Sequence, residues 1–90
     1  MNYYVYIIKC HDNYLYTGIT SNLKKRLDEH SNGLSKLTKN RLPITLQYSE
    51  KHDTRIAAAK KEKEIKGWSR KKKDLLIERS KPNEEKFTPN

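Results

Sequence analysis

The sequence predicts an α+β domain, a small three-stranded antiparallel sheet flanked by three helices. Three observations carry this. Tyr4-Val5-Tyr6-Ile7-Ile8 and Tyr14-Leu15-Tyr16-Thr17-Gly18-Ile19 alternate aromatic and aliphatic side chains, which reads as two strands. A third such run, Ile44-Thr45-Leu46-Gln47-Tyr48, opens after Pro43. Between and after these runs stand three stretches with capping residues at one end and breakers at the other. No internal repeat is present.

The first two strands, residues 3–9 and 14–19, form a hairpin over the short polar stretch His11-Asp12-Asn13. A three-residue loop there fixes the register: Cys10 opposite Tyr14, Ile8 opposite Tyr16, Tyr6 opposite Gly18. Tyr6 and Tyr16 become diagonal neighbours on one face. Val5, Ile7, Leu15 and Ile19 point to the other, as the period of two requires.

Ser21 or Asn22 caps a helix running to about His30, and Asn32-Gly33 ends it because glycine tolerates the left-handed terminal conformation. Residues 34–42 read as a basic, irregular loop. In the third strand Ile44, Leu46 and Tyr48 are expected on one face. Asp53 or Thr54 caps a second helix over roughly 55–66, which Gly67 breaks; Ser69 caps a third over roughly 70–79. The domain is therefore drawn as residues 1–79. Residues 80–90, with Pro82, Pro89 and few apolar side chains, read as a flexible tail.

Ninety residues bound the chain to one small domain, and with 33% hydrophobic residues it buries one modest core. The single cysteine, Cys10, has no internal disulfide partner. The start of the chain does not read as a signal peptide, and no apolar run is long enough to span a bilayer, so a cytoplasmic location is expected. The net charge of +9 fits either a solvated surface or a polyanionic partner such as nucleic acid. A membrane surface is disfavoured, because the basic helices lack a broad apolar face.

Several side chains sit where a purely structural account strains. Ala58, Glu62 and Ile65 share a face by their i, i+4, i+7 spacing, which should pack on the sheet. Glu62 then brings a carboxylate among apolar neighbours, where it needs a Lys or Arg partner or a metal. In the first helix Leu23 and Leu27 form the apolar stripe, with Arg26 and His30 along its edge and Lys24, Lys25, Asp28 and Glu29 further toward solvent. Arg26 there is either a snorkelling side chain or a phosphate fork, and His30 either a helix-end cation or a functional imidazole. Lys36, Lys39 and Arg41 load the loop, and Lys66 and Arg70 load the later helices. One cysteine and three scattered histidines give no zinc-ligand spacing, and no glycine-rich phosphate loop is present.

In this order, Val5-Tyr6-Ile7, Tyr16-Thr17-Gly18, the helix Asn22 to His30, Tyr48-Ser49-Glu50 and Glu62-Lys63-Glu64-Ile65-Lys66 before Trp68-Ser69-Arg70 resemble the GIY-YIG nuclease superfamily. Within it the chain looks most like the small stand-alone bacterial proteins related to the nuclease domain of the excision-repair incision subunit. The resemblance covers roughly residues 3–78. It implies a GIY-YIG-type phosphodiesterase: a metal-dependent endonuclease on DNA, in repair or processing, favouring particular structures or single strands. A nucleic-acid-binding module with the same fold and little activity is the alternative.

The resemblance also implies roles. Tyr16 is the base or aligner for the attacking water, and Tyr6 supports it. Arg26 binds the scissile phosphate, and His30 assists proton transfer or holds the phosphate. Glu62 binds one divalent metal, Mg2+ or Mn2+. Lys24, Lys25, Lys36, Lys39, Arg41, Lys66 and Arg70 are the expected nucleic-acid contacts. DNA is the expected partner, with RNA left open and no small-molecule cofactor, and the chain is expected to be a monomer or weak dimer. Two departures from the pattern stand out. Ile19 occupies the position where the repair enzymes carry a lysine, and Leu37 the position where related small proteins often have tyrosine.

Overall fold

A computed structural model describes residues 2–80 and gives six elements: β1 (Tyr3–Cys10), β2 (Leu15–Thr20), α1 (Leu23–Ser31), β3 (Ile44–His52), α2 (Arg55–Lys66) and α3 (Arg70–Ser80). The predicted tail lies outside the described residues apart from Ser80, which closes α3. The sheet order is β2-β1-β3, antiparallel throughout, so β1 is central and buried on both faces.

The hairpin register is the predicted one, with Ile8 opposite Tyr16 and Tyr6 opposite Gly18. Its loop closes through Cys10 N–H to Tyr14 O and Asn13 N–H to Cys10 O, both 2.9 Å. Asn13 takes the left-handed conformation at φ 72°, which asparagine tolerates better than most residues.

The helix caps follow from sequence. The Asn22 side chain accepts from Lys25 N–H at the start of α1, Thr54 from Ala57 N–H before α2, and Ser69 from Lys72 N–H before α3. At the end of α1, Gly33 at φ 75° allows Leu34 N–H to reach Glu29 O and Gly33 N–H to reach His30 O. This paired arrangement satisfies carbonyls the helix leaves orphaned.

One face of the sheet carries the apolar core: Val5, Ile7 and Leu15 with Ala58 and Ile65 of α2 and Ile77 of α3, flanked by Tyr3, Ile19, Tyr48, Trp68 and Leu76. The other face carries Tyr6, Ile8 and Cys10, all buried, beneath α1 and the 34–42 loop, whose Ser35 and Thr38 are buried as well. The sheet is thus covered on both sides.

The third strand departs from expectation in two ways. It runs on to His52, and a register shift between Ile7 and Ile8 places Tyr48 opposite Ile7 but Leu46 opposite Ile8. The extra residue at Gln47 inverts the alternation. Ile44 and Leu46 therefore share the Cys10 and Ile8 face, while Tyr48, Glu50 and His52 share the core face with Ile7, Val5 and Tyr3. There the Tyr48 hydroxyl bonds Glu50, which also contacts His52 Nε2 at 2.5 Å.

Candidate active site

Tyr6 is the centre of the polar face. It is 1% exposed, and its ring lies across β2 over Gly18, which is possible because Gly18 has no Cβ. Tyr16, two residues away on the same strand face, packs beside it with ring centroids 6.2 Å apart and remains partly open to solvent.

Helix α1 brings two side chains to these phenols. His30 Nε2 lies 2.9 Å from the Tyr6 hydroxyl, and its Nδ1 lies 2.8 Å from Thr38 Oγ1. The imidazole is also 5.3 Å from the Tyr16 ring, centroid to centroid. One turn earlier, Arg26 Nε donates to the Tyr6 hydroxyl at 3.4 Å and its terminal nitrogen pairs with Glu29 at 2.9 Å. Helical i, i+4 spacing puts both residues on one side of α1.

Two expectations about this helix are corrected. His30 is not at the edge of the apolar stripe: it is fully buried and is the only buried residue of α1, whereas Leu23 and Leu27 are half-exposed. The helix is turned so that its deepest contact is polar, which two hydrogen bonds on the imidazole permit. Glu29, read as solvent-facing, is half-buried because it clamps Arg26.

The electrostatics follow from burial. Desolvation pushes the Tyr6 phenol up, with Tyr16 and Glu62 adding to it and Arg26 opposing. Tyr6 is therefore a neutral hydroxyl at neutral pH. Burial, then the Arg26 charge, pushes His30 down, so its imidazole is neutral too. The Glu29 carboxylate and the phenols hold the Arg26 guanidinium firmly charged. Burial also pushes the Cys10 thiol up, which disfavours the thiolate a nucleophile needs.

Glu62 lies on α2, which packs against β1 and β2. It does not sink into the core with Ala58 and Ile65: its side chain is 21% exposed and pairs with Lys66 at 3.1 Å. A half-open single carboxylate suits a hard cation that keeps waters and takes other oxygens from its substrate, as Mg2+ or Mn2+ does. Among the described residues no group of three or more His, Cys, Asp or Glu gathers into a full protein cage. The donor set thus fits a weakly held magnesium-type ion and no zinc site.

Arg26 also faces a polar cleft of about 350 Å3 lined by Thr20, Ser21, Asn22, Lys25 and Glu29, beside the N-terminus of α1. Lys25 and Arg26 bring two cations to it against the one carboxylate of Glu29, so its balance of charge suits an anion.

The expected nucleic-acid contacts divide into two groups. Lys25 lines the cleft, and Lys36 and Lys39 stand exposed on the loop that buries Thr38. The others have partners within the fold. Lys24 pairs with Asp28, and Lys66 with Glu62. Arg41 pairs with Asp12 and stacks on Tyr14 at 4.2 Å, while Arg70 bonds both Asp74 and the Asn13 carbonyl, tying α3 to the hairpin loop. The residue that sequence reasoning missed is Thr38. It sits in the stretch read as irregular loop, and no periodicity marks a loop residue as buried.

The GIY-YIG catalytic domain family matches residues 2–74 of the chain. A UPF0213 protein of Staphylococcus saprophyticus is 49% identical over 76 residues, covering 83% of this chain and 93% of its own length. One from Bacillus pumilus is 46% identical, covering 86% of this chain and 80% of its own. Among solved structures, the solution structure of the UPF0213 protein BH0048 from Bacillus halodurans superposes with a TM-score of 0.63 at 35% identity, covering 98% of this chain and 95% of that one. That of EF2693 from E. faecalis gives 0.62 at 33% identity, covering 87% and 84%.

Proposed function

This chain belongs to the GIY-YIG family, and on that premise we propose that it is a metal-dependent endonuclease that hydrolyses phosphodiester bonds in DNA, with a preference for single-stranded or branched structure. The observation that supports this most is the gathering of Tyr6, Tyr16 and His30 around Arg26, which itself lines the polar cleft at the start of α1.

Phosphodiester hydrolysis needs an aligned water, charge neutralised on the non-bridging oxygens, and help for the leaving oxygen. Arg26 enters the cleft already charged and oriented by Glu29 and Tyr6, so its remaining donors are aimed without reorganisation at a phosphate. Tyr16 is the phenol with access to solvent, and it orients the attacking water. Tyr6 is sealed from solvent and holds the constellation together. His30 acts through Tyr6, since an imidazole with no exposed surface does not touch a phosphate directly. Glu62 would hold a magnesium or manganese ion, which supplies Lewis-acid charge neutralisation at the phosphate when bound.

Substrate binding falls to Lys25 and to Lys36 and Lys39 on the loop, with phosphate contacts that weaken as salt rises. No helix among the described residues is long and apolar enough to cross a membrane, in keeping with a cytoplasmic enzyme of DNA repair or processing.

The test is cleavage of labelled single-stranded, duplex, flap and branched DNA with magnesium or manganese, wild type against Glu62→Ala. Cutting lost in the variant with binding retained is the expected result. Binding without cutting by the wild type under either metal overturns the reading in favour of a binding module.

A further inference from the structure

We infer that the groove between Trp68 and the outer face of α3 binds single-stranded nucleic acid, with phosphates on Lys72 and Arg79 and a base against the Trp68 ring. The groove belongs to the helical layer over the apolar core, on the side of the sheet away from Tyr6 and His30. It stands apart from the nuclease reading, since a strand can be held here whether or not the chain cuts it.

Charge points to this surface first. Residues 55–80, which span α2 and α3, carry ten Lys and Arg against four Asp and Glu. Most of the net charge of +9 therefore stands away from the Arg26 cleft. Lys61, Lys66 and Arg70 pair with carboxylates of their own helices, whereas Lys72 and Arg79 have no carboxylate partner among the described residues. Both are exposed, about 10 Å apart along the helix axis.

Shape comes second. Lys72, Leu75, Leu76 and Arg79 fall at i, i+3, i+4 and i+7, and so share one face of α3. With Trp68 they line a groove of about 230 Å3. A cavity of about 150 Å3 takes a benzene ring, so there is room for a pyrimidine. Trp68 and Leu76 pack against the core and make an apolar floor, beside Leu75 at 48% exposure. Lys72 Nζ stands 4.4 Å from the Trp68 ring centroid and Lys61 Nζ 5.6 Å, so the indole lies among cations.

An aromatic ring interleaved with unpaired cations is what a single strand needs: phosphates follow the charges while an unpaired base offers its face to the ring. A base inside a duplex is stacked on both faces and reaches no such ring. An anionic membrane asks for a broad apolar face, and here the exposed apolar surface of α3 is confined between two cations.

Trp68 is the single tryptophan of the chain, so its fluorescence reports on this groove. The full chain is titrated without added metal, with a short oligothymidylate as the probe. A saturable quench that weakens as salt rises is expected. An abasic oligomer of the same length is expected to leave the emission nearly unchanged. Lys72→Gln combined with Arg79→Gln should weaken the binding seen by Trp68 on the order of tenfold and flatten its log–log salt slope by about 1.4. Lys36→Gln with Lys39→Gln, on the other face, should leave the Trp68 response as it is. No quench by the oligothymidylate, or an equal response to the abasic oligomer, overturns the base-binding site. A stronger response to polyglutamate or to phosphatidylglycerol vesicles overturns it in favour of an acidic protein or a membrane. Cleavage does not enter these readouts, so failure of the nuclease reading leaves them standing.

Discussion

A Cβ placed on Gly18 would stand 2.7 Å from the Tyr6 hydroxyl oxygen and 2.8 Å from its Cζ. Gly18 does not have a positive φ, so the demand is for space and not for an unusual backbone. Tyr6 needs that space because its ring must cross β2 to meet His30. Gly18→Ala is expected to cost about 1–3 kcal/mol by overpacking and to displace the phenol from both His30 and Arg26. Urea unfolding checks the first part. In a Tyr6→Leu background the same substitution should cost much less, because the atoms it strikes are gone; equal costs in both backgrounds would place the strain elsewhere.

Burial of a neutral His30 makes stability depend on pH. Its folded pKa lies below its unfolded value of about 6.5, so between the two the unfolded chain binds more protons. The contribution is fully present above the unfolded pKa and is lost as pH falls toward the folded one. Urea midpoints measured from pH 8 to pH 5 should therefore drop on acidification, and less steeply in His30→Gln. A parallel drop in both proteins would assign the effect to carboxylates instead.

The hairpin and its consequences were legible from residue types alone, because a period of two and a three-residue loop leave one register for Tyr6, Tyr16 and Gly18. The caps were legible to within one residue, Ser69 outright and Asn22 and Thr54 each as one of two neighbouring candidates, because capping is a local chemical choice. Two kinds of information were not local. The extra residue at Gln47 carries no mark in its own sequence, yet it sends Tyr48 to the face opposite Leu46. The depth of His30 depends on Thr38, eight residues on in a stretch without periodicity. Spacing put Glu62 on the face of Ala58 and Ile65, but the helix edge and Lys66 hold it half-open. The pattern named a Lys or Arg partner correctly and set the carboxylate too deep.

That half-open pair leads to a third prediction. Lys66 occupies the carboxylate that would take the metal, at 3.1 Å and with its own side chain 54% exposed. Such an exposed pair is worth at most about 1 kcal/mol, so the cation competes with a metal without locking it out. Lys66→Met is expected to lower the Mn2+ concentration needed for half-maximal cleavage while changing stability little. The manganese titration decides it. A higher requirement in the variant would mean that Lys66 serves the substrate phosphate and not the carboxylate.

Arg26 separates geometry from charge. Its guanidinium spans two fixed partners, Glu29 at one terminal nitrogen and the Tyr6 hydroxyl at Nε. An ammonium carries the same charge on a flexible stem but lacks the planar fork that serves both while presenting further donors to the cleft. Arg26→Lys should therefore keep DNA affinity and its salt dependence, since the count of phosphate-facing cations is unchanged. Turnover should fall on the order of a hundredfold or more, as when an oriented donor to a developing charge is removed. Glu29→Gln retains an acceptor for the fork but removes the countercharge, so a smaller loss is expected. Filter binding across a salt series, run beside single-turnover cleavage, measures both quantities on the same variants. If Arg26→Lys cuts as well as the wild type, the site uses this position for its charge alone, and the clamp from Glu29 and Tyr6 serves folding.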